Sequence, residues 1–429
     1  MPGAPSGVPL DRALQRYQRS HPKMGRNDRL VLGTAVYQFA RNRTLLLEAG
    51  RGFTAGEGDL LLLGLLDAVS DQADLGQIRH LPDGVRPWRR HLAWLQRERD
   101  HMGSVIETAG PTPLGDVSPG IVATLSRLHS VPEWWISDGP WETVGDAAAE
   151  LAVLRRPQQL TLRVQSHQCS DRTQVIEGLK ELGIPCRPTP RSPWGITVEG
   201  RHNVLATEIY RDGSVEVQDE GSQLVTCLMD PKPTEKILDA CAGGGGKSLA
   251  LASAMGGRGQ VIAYDTHTGR LRDARKRARR AGLGNIRVVE DFQAVQNEGD
   301  FDQVLVDVPC TSSGTLRRNP DVAWRWDRDA LTKLLSVQRD ILDRVASLVR
   351  PGGYLTYATC SLLPQENGEQ ISMFLERHHG FRALALGDRD GHTPLHGVPG
   401  FEQGVLRLPA HLGGYSGDGF FMARFRNEG

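Results

Sequence analysis

Two cysteines each close an apolar run. VLVDVPCTSSG sets Cys310 three residues after Asp307, and YLTYATCSLLPQEN sets Cys360 at the end of a β-prone stretch. A thiol at the tip of a strand, next to a bound ligand, suits nucleophilic chemistry, whereas a cysteine inside a core is a small hydrophobe. Cys169, Cys186 and Cys227 read as the second kind. A third segment, LDACAGGGGKSLALA, joins an apparent strand to an apparent helix through Gly243, Gly244, Gly245 and Gly246, where backbone can approach a ligand closely. It is not a nucleotide-hydrolysing phosphate loop, because GxxxxGK[ST] requires glycine where Cys241 stands. Asp265 ends QVIAYD, and a carboxylate at the tip of the second strand commonly accepts hydrogen bonds from a ribose diol. Asp291 and Asp307 follow the third and fourth strands at the same edge. Each carboxylate taken singly also reads as a helix cap or solvated turn. A dinucleotide and an adenosyl cofactor both satisfy the pattern.

These groups need a scaffold that brings strand ends together. From Glu235 onward short apolar runs alternate with amphipathic segments: KILDA, the glycine loop and a helix, QVIAYD and a long basic helix, IRVVE, FDQVLVDV and a helix, GGYLTYAT and a helix. This order predicts an α/β domain over residues 231–429, its mainly parallel sheet covered on both faces and its ligand at the carboxyl ends of the strands. Residues 150–230 predict a small α+β module from the alternation of LTLRVQ, GITVEG and GSVEVQDEG around the helical DRTQVIEGLKELGI. Residues 1–140 predict a helical domain, with i, i+3, i+4 spacing in LDRALQRYQ, NDRLVLGTAVYQFARNRTLLLEA and GDLLLLGLLDAVSDQ. Asn27 or Asp28 is the expected cap of the second of these, with Arg29, Arg41 and Arg43 on its solvated side.

Composition restricts the rest. Lys plus Arg equals Asp plus Glu at 51 each among 429 residues, so a nucleic-acid partner would be held by local patches rather than by a global field. No apolar run approaches the roughly 20 residues of a membrane span and the N-terminus lacks a secretory pattern, which predicts a cytoplasmic protein. Six scattered cysteines without CxxC spacing predict a reduced compartment and no metal site.

The motifs DACAGGGGK, DVPCTSSG with RRNPD, YATCSLLPQEN and the closing LRLPAHLGGYSGDGFFMARF together resemble the S-adenosylmethionine-dependent RNA cytosine carbon-5 methyltransferases. The layout is similar to the bacterial 16S ribosomal RNA members with a NusB-like N-terminal domain. The resemblance implies a Rossmann-like class I methyltransferase core preceded by a small RNA-binding subdomain. It implies Cys360 as nucleophile, Cys310 as the residue that assists release and Asp307 as the group on the cytosine edge. Cys241, Ala242, the four glycines, Lys247, Asp265, Asp291 and Asp307 would line the S-adenosylmethionine site. Arg317 and Arg318 stand where phosphates would lie, and Arg163 belongs to the module that would clamp RNA. The basic helix within Gly269–Gly282 reads equally as an RNA contact or a solvated face, and Trp134, Trp135, Trp324 and Trp326 read mainly as packing. The loop departs from the family pattern, because Gly243 and Gly244 stand where an alanine–proline pair usually precedes GGK; a looser loop and weaker cofactor binding are expected. Two other readings stay open: a non-catalytic RNA-binding assembly factor, and a transfer-RNA cytosine carbon-5 methyltransferase.

Overall fold

A computed structural model describes residues 8–51, 89–169, 171–384, 401–402, 405–408, 415 and 417–429. The expected helix in GDLLLLGLLDAVSDQ and the PAHLGG part of the closing motif lie outside the described residues. The chain divides into two compact units. One comprises Pro157–Gly314 with Arg328–Gly429, and the other the helical residues up to Arg156 together with Thr315–Asp327.

In the first unit β1 (Leu160–Val164), β2 (Cys186–Pro188), β3 (Gly195–Val198) and β4 (Val215–Val217) form an antiparallel sheet in the order β2-β3-β1-β4. Val175, Ile176 and Leu179 of helix Arg172–Glu181 are buried on it together with Leu162, Ile196 and Val215. The larger sheet contains β5 (Lys236–Asp239), β6 (Gln260–Tyr264), β7 (Ile286–Val289), β8 (Phe301–Asp307), β9 (Val349–Thr359), β10 (Phe381–Ala383), β11 (Phe401–Glu402), β12 (Val405–Leu408) and β13 (Phe420–Asn427). Its order is β11-β12-β13-β9-β8-β5-β6-β7, with β10 also on β13.

Strands β5 to β9 run parallel, and β13 joins β9 antiparallel. Alternate residues of one strand enter opposite cores. Ile237, Val261 and Leu305 pack with helices Glu220–Met229 and Gly246–Ala254, while Leu238, Ile262, Val304 and Val306 pack with helices Arg328–Ala346 and Gly368–Arg377. This two-sided burial is why the strands read as continuous apolar runs. Chain order reverses around β5, whose neighbours β6 and β8 carry the chain to opposite sides, so the carboxyl ends of these three strands face a crevice.

The second unit is helical, with Leu45, Leu46, Leu92, Leu95 and Met102 in its core. Helix Arg26–Arg41 starts two residues earlier than a cap at Asn27 requires. Asp28 lies inside its first turn and accepts from Gly25 N at 2.9 Å, so it caps from the third helical position. Arg41 turns toward protein rather than solvent, donating to Arg317 O at 2.7 Å, and Arg43 lies over the Trp324 ring at 4.8 Å.

His129 ends helix Pro119–His129 with 6% exposure, and neither ring nitrogen has a hydrogen-bond partner among the described residues. Burial, and secondarily the Arg155 charge, push it down to about 3. Its folded pKa lies below the ordinary 6.5, so the unfolded chain takes the proton first. Its contribution to stability is intact above pH 6.5 and is lost as pH falls toward 3. At pH 5 the loss is about 2 kcal/mol, from ~1.4 kcal/mol per pH unit. Melts of the wild type and His129→Gln at pH 7 and pH 5 check this: the difference between them should move toward the variant by that amount, and a constant difference would refute it.

Candidate active site

The parallel register of β8 and β9 sets the site. Asp307 stands opposite Ala358, so the chain leaves the two strands at adjacent points, Cys360 one residue past β9 and Cys310 three past β8. Their sulfur atoms are 3.4 Å apart. Gly314 N donates to Cys360 O at 2.9 Å and folds the Cys310 loop back over the end of β9. This loop contains Ser312 at φ 60°, a left-handed conformation for a residue with a side chain. Gly314 cannot be enlarged, since a Cβ there would stand 2.3 Å from Gly419 O. The hydrogen bond with Cys360, followed by burial, holds the Cys310 thiol well above the ordinary thiol range. The raised pKa favours the protonated thiol at Cys310, and either sulfur can be the donor in the contact between them.

Beneath both loops lies Glu366, fully buried. It accepts from Thr311 N at 2.8 Å and Gln338 Nε2 at 2.9 Å, and from the hydroxyls of Thr311 and Ser361. Its own carbonyl accepts from Tyr357 Oη at 2.6 Å. Asn367 adds a second tie, accepting from Thr359 Oγ1 at 2.6 Å and donating to Ser361 O at 2.9 Å. Sequence reading missed Glu366; the PQEN that follows Cys360 carried the only signal, a buried acid next to a catalytic turn.

The glycine loop joins β5 to helix Gly246–Ala254. Gly243 and Gly245 take φ of 53° and 79°, and a Gly245 Cβ would also meet Ala274 Cβ at 2.7 Å, so the turn and the packing both require glycine. Among the described residues nothing lies within 4 Å of where a Gly243 Cβ would be, which leaves open space over the turn. Asp265 holds this turn, accepting from Gly243 N at 2.8 Å and His267 N at 2.7 Å. A carboxylate offers about four lone-pair sites, so two remain for a diol. Asp291 is exposed and caps helix Phe292–Gln296 through Gln293 N at 3.1 Å. Burial first, then Asp239, pushes the Cys241 thiol well up, which disfavours the thiolate there. Asp239 is buried under the loop, with one oxygen accepting from Ser248 Oγ at 2.6 Å and the other without a hydrogen-bond partner among the described residues. Burial pushes it up to about 7.

Lys247 donates to Asp307 Oδ2 at 2.6 Å and to Ser222 Oγ at 3.2 Å. It also lies 5.2 Å from the Phe420 ring centre. The residue that opens the cofactor helix is thereby joined to the carboxylate beside the thiols.

Two of the three arginines expected on RNA are buried. Arg163 is 1% exposed because β1 is an inner strand; its guanidinium donates to Gln218 Oε1 at 2.6 Å and Gln165 Oε1 at 2.8 Å, which leaves no path to a phosphate. Arg317 is 8% exposed and donates to Arg156 O at 3.4 Å within the helical unit, so it serves that fold. Arg318 is exposed. In the basic helix Thr268–Arg280, Arg277 and Arg280 turn inward to Glu216, leaving Arg272, Lys276 and Arg279 exposed. Trp135 and Trp326 are buried, in keeping with packing.

A glycine turn with open space above it, a carboxylate at the tip of β6 and two thiols facing each other form the pattern of a cofactor-dependent group-transfer site. A family model described as 16S rRNA methyltransferase RsmB/F matches residues 226–426. The probable ribosomal RNA small subunit methyltransferase B of Bacillus subtilis is 32% identical over 326 residues, covering 74% of this chain and 71% of its own length. The chain belongs to the RsmB/F family of RNA methyltransferases. Ribosomal RNA small subunit methyltransferase B of Pseudomonas syringae is 29% identical over 411 residues, 92% of this chain and 87% of its own length. The crystal structure of a methyltransferase homolog from Pyrococcus horikoshii superposes with a TM-score of 0.60 at 25% identity, covering 72% of this chain and all of that one.

Membership makes this protein an S-adenosylmethionine-dependent RNA methyltransferase with a Rossmann-like core, as read from the sequence, and supports carbon-5 methylation of cytosine as its reaction. The loop fits that cofactor: its turn is open, Asp265 keeps free lone pairs, and the unpartnered Asp239 oxygen lies beneath it. No helix among the described residues is long and apolar enough to cross a membrane.

Proposed function

We propose that this enzyme methylates carbon 5 of a cytosine in 16S ribosomal RNA through a covalent adduct on Cys360. The observation that carries this reading is the 3.4 Å approach of two thiols at neighbouring strand ends, with Cys310 held toward its protonated form. Carbon 5 of cytosine is a weak nucleophile. Addition of the Cys360 thiolate to carbon 6 turns the ring into an enamine whose carbon 5 can attack an electrophile. Cys241 to Lys247 with Asp265 and Asp291 would hold S-adenosylmethionine, which would supply an electrophilic methyl group. Asp307 accepts from the cytosine edge, and the ammonium of Lys247 beside it donates the proton that nitrogen 3 needs.

The largest cause of the raised Cys310 pKa is its hydrogen bond with Cys360. Once bonded to carbon 6, the Cys360 sulfur is a neutral thioether and a far weaker acceptor, so its hold on the Cys310 proton weakens. Cys310 is then freed to give its proton to solvent and, as thiolate, to take the proton on carbon 5; the carbon 5–carbon 6 double bond re-forms as the Cys360–carbon 6 bond breaks and its electron pair returns to the Cys360 sulfur. Cys310→Ala should therefore stall after transfer. Incubated with RNA and S-adenosylmethionine, it should yield a protein–RNA band that survives denaturing electrophoresis, and its absence would refute this division of labour.

A cytosine within a stacked helix cannot be attacked on its face, so the target is unpaired or flipped out. Exposed Arg318 and the Arg272, Lys276 and Arg279 face are candidates for phosphate contacts. Bisulfite sequencing of ribosomal and transfer RNA from cells with and without the gene tests the address. Loss of one 16S site is expected. Loss confined to transfer RNA would change the substrate, and no change at any cytosine would favour a non-catalytic assembly factor.

A further inference from the structure

Four successive glycines make the cofactor loop costly to order, since glycine loses more backbone freedom on being fixed than any other residue. The loop is nevertheless tied on both sides. Asp265 holds Gly243 N, Gly245 N donates to Ala242 O at 2.8 Å, and Arg277 Nη1 donates to Gly244 O at 2.7 Å. The rest of the Arg277 guanidinium is fixed elsewhere, its Nε and Nη2 lying 3.1 and 2.9 Å from Glu216 Oε2. Glu216 is 2% exposed, sits on β4 opposite Arg163 of β1, and also pairs with Arg280, which lies over the Tyr210 ring at 3.8 Å. One planar group thus connects a rigid strand of the small sheet to the most entropic turn of the large domain.

We propose that Arg277, oriented by Glu216, is a positioning residue that stiffens the glycine loop and sets the affinity for S-adenosylmethionine. This rests on the reading of Gly243 to Gly246 as the cofactor loop. Part of the basic helix is thereby assigned to the protein itself. The looseness expected from four glycines is offset by a side chain some thirty residues away in sequence. Lysine cannot replace arginine here, because an ammonium does not present donors on both edges of a plane.

The test is calorimetric titration of S-adenosylmethionine into the full-length wild type and into Arg277→Met, which keeps an apolar stem without the donors. Kd and KM for the cofactor should rise about tenfold, equivalent to ~1.4 kcal/mol. The variant should melt somewhat lower, since Glu216 keeps only Arg280 of its two arginines, so titrations are run where it is fully folded; kcat at saturating cofactor should stay within about twofold. Gly244→Pro supplies a covalent stiffener. Gly244 is not in the left-handed region, and the nearest atom to a Cβ there is Arg277 Nη1 at 3.4 Å, which the methionine variant removes. Gly244→Pro with Arg277→Met should recover most of the lost affinity. Wild-type affinity in Arg277→Met overturns the proposal, as does an affinity loss that the proline leaves unrestored or that kcat shares. Failure of the wild type to bind S-adenosylmethionine would instead overturn the cofactor-loop reading and the clamp with it.

Discussion

Cys360→Ala should abolish methyl transfer, lowering kcat by at least about 10⁴-fold, the scale seen when a covalent nucleophile is removed. Transfer depends on an adduct formed from the end of β9: Cys310 leaves the end of β8 instead, and burial still holds its thiol up once Cys360 is gone. Cys241 is pushed further from reactivity by burial. The lost sulfur is small and part-buried, so the melting temperature and S-adenosylmethionine affinity should hold. Counting labelled methyl groups on 16S RNA, with cofactor titration as the control, reads both. Activity within tenfold of wild type would sink the assignment of Cys360.

Much of this site was legible because parallel strands deliver their ends to one edge: a cysteine, carboxylate or glycine turn after an apolar run falls near the others whatever the loop lengths. That reasoning brings out Cys310, Cys360, Asp265, Asp307 and the glycine turn, and with them the α/β order from β5 onward. It does not reveal direction. Arg163 belongs to a module that would clamp RNA, yet strand alternation on an inner strand turns it into protein. Arg317 stands near Cys310 in sequence, while Thr315–Asp327 belongs with the helical unit. Arg277 is one of many arginines in its helix, and its position opposite Glu216 follows from the packing of β4, which no local pattern encodes. Lys247 read as a cofactor residue, and its hydrogen bond to Asp307 is equally a product of tertiary register.

Glu366→Ala should cost about as much activity as a misplaced catalytic group, on the order of 10²-fold or more in kcat, although Glu366 lies beneath the cysteines rather than on the substrate side. The carboxylate is the common acceptor for Thr311, which follows Cys310, and for Ser361, which follows Cys360. It thereby fixes the separation of the two sulfurs. Burial raises its pKa, and the hydrogen bonds from Ser361, Thr311 and Gln338 oppose that rise. Alanine would leave those donors unsatisfied in a buried site, a penalty of about 3–5 kcal/mol. Stability alone could then account for lost activity, so the informative variant is Glu366→Gln. Its amide oxygen can still accept from Thr311 N and Gln338, and the two hydroxyls can rotate to accept from its NH₂. Glu366→Gln should melt near the wild type and keep most of kcat. Both variants should bind S-adenosylmethionine with unchanged Kd wherever they remain folded, because the glycine loop is held by Asp265 and Arg277. The covalent-trapping assay separates positioning from general destabilisation. On a Cys310→Ala background, Glu366→Ala should form adduct more slowly at a temperature where it is fully folded, and Glu366→Gln should not. Equal trapping rates in all three proteins would show that Glu366 stabilises the domain without aligning the thiols.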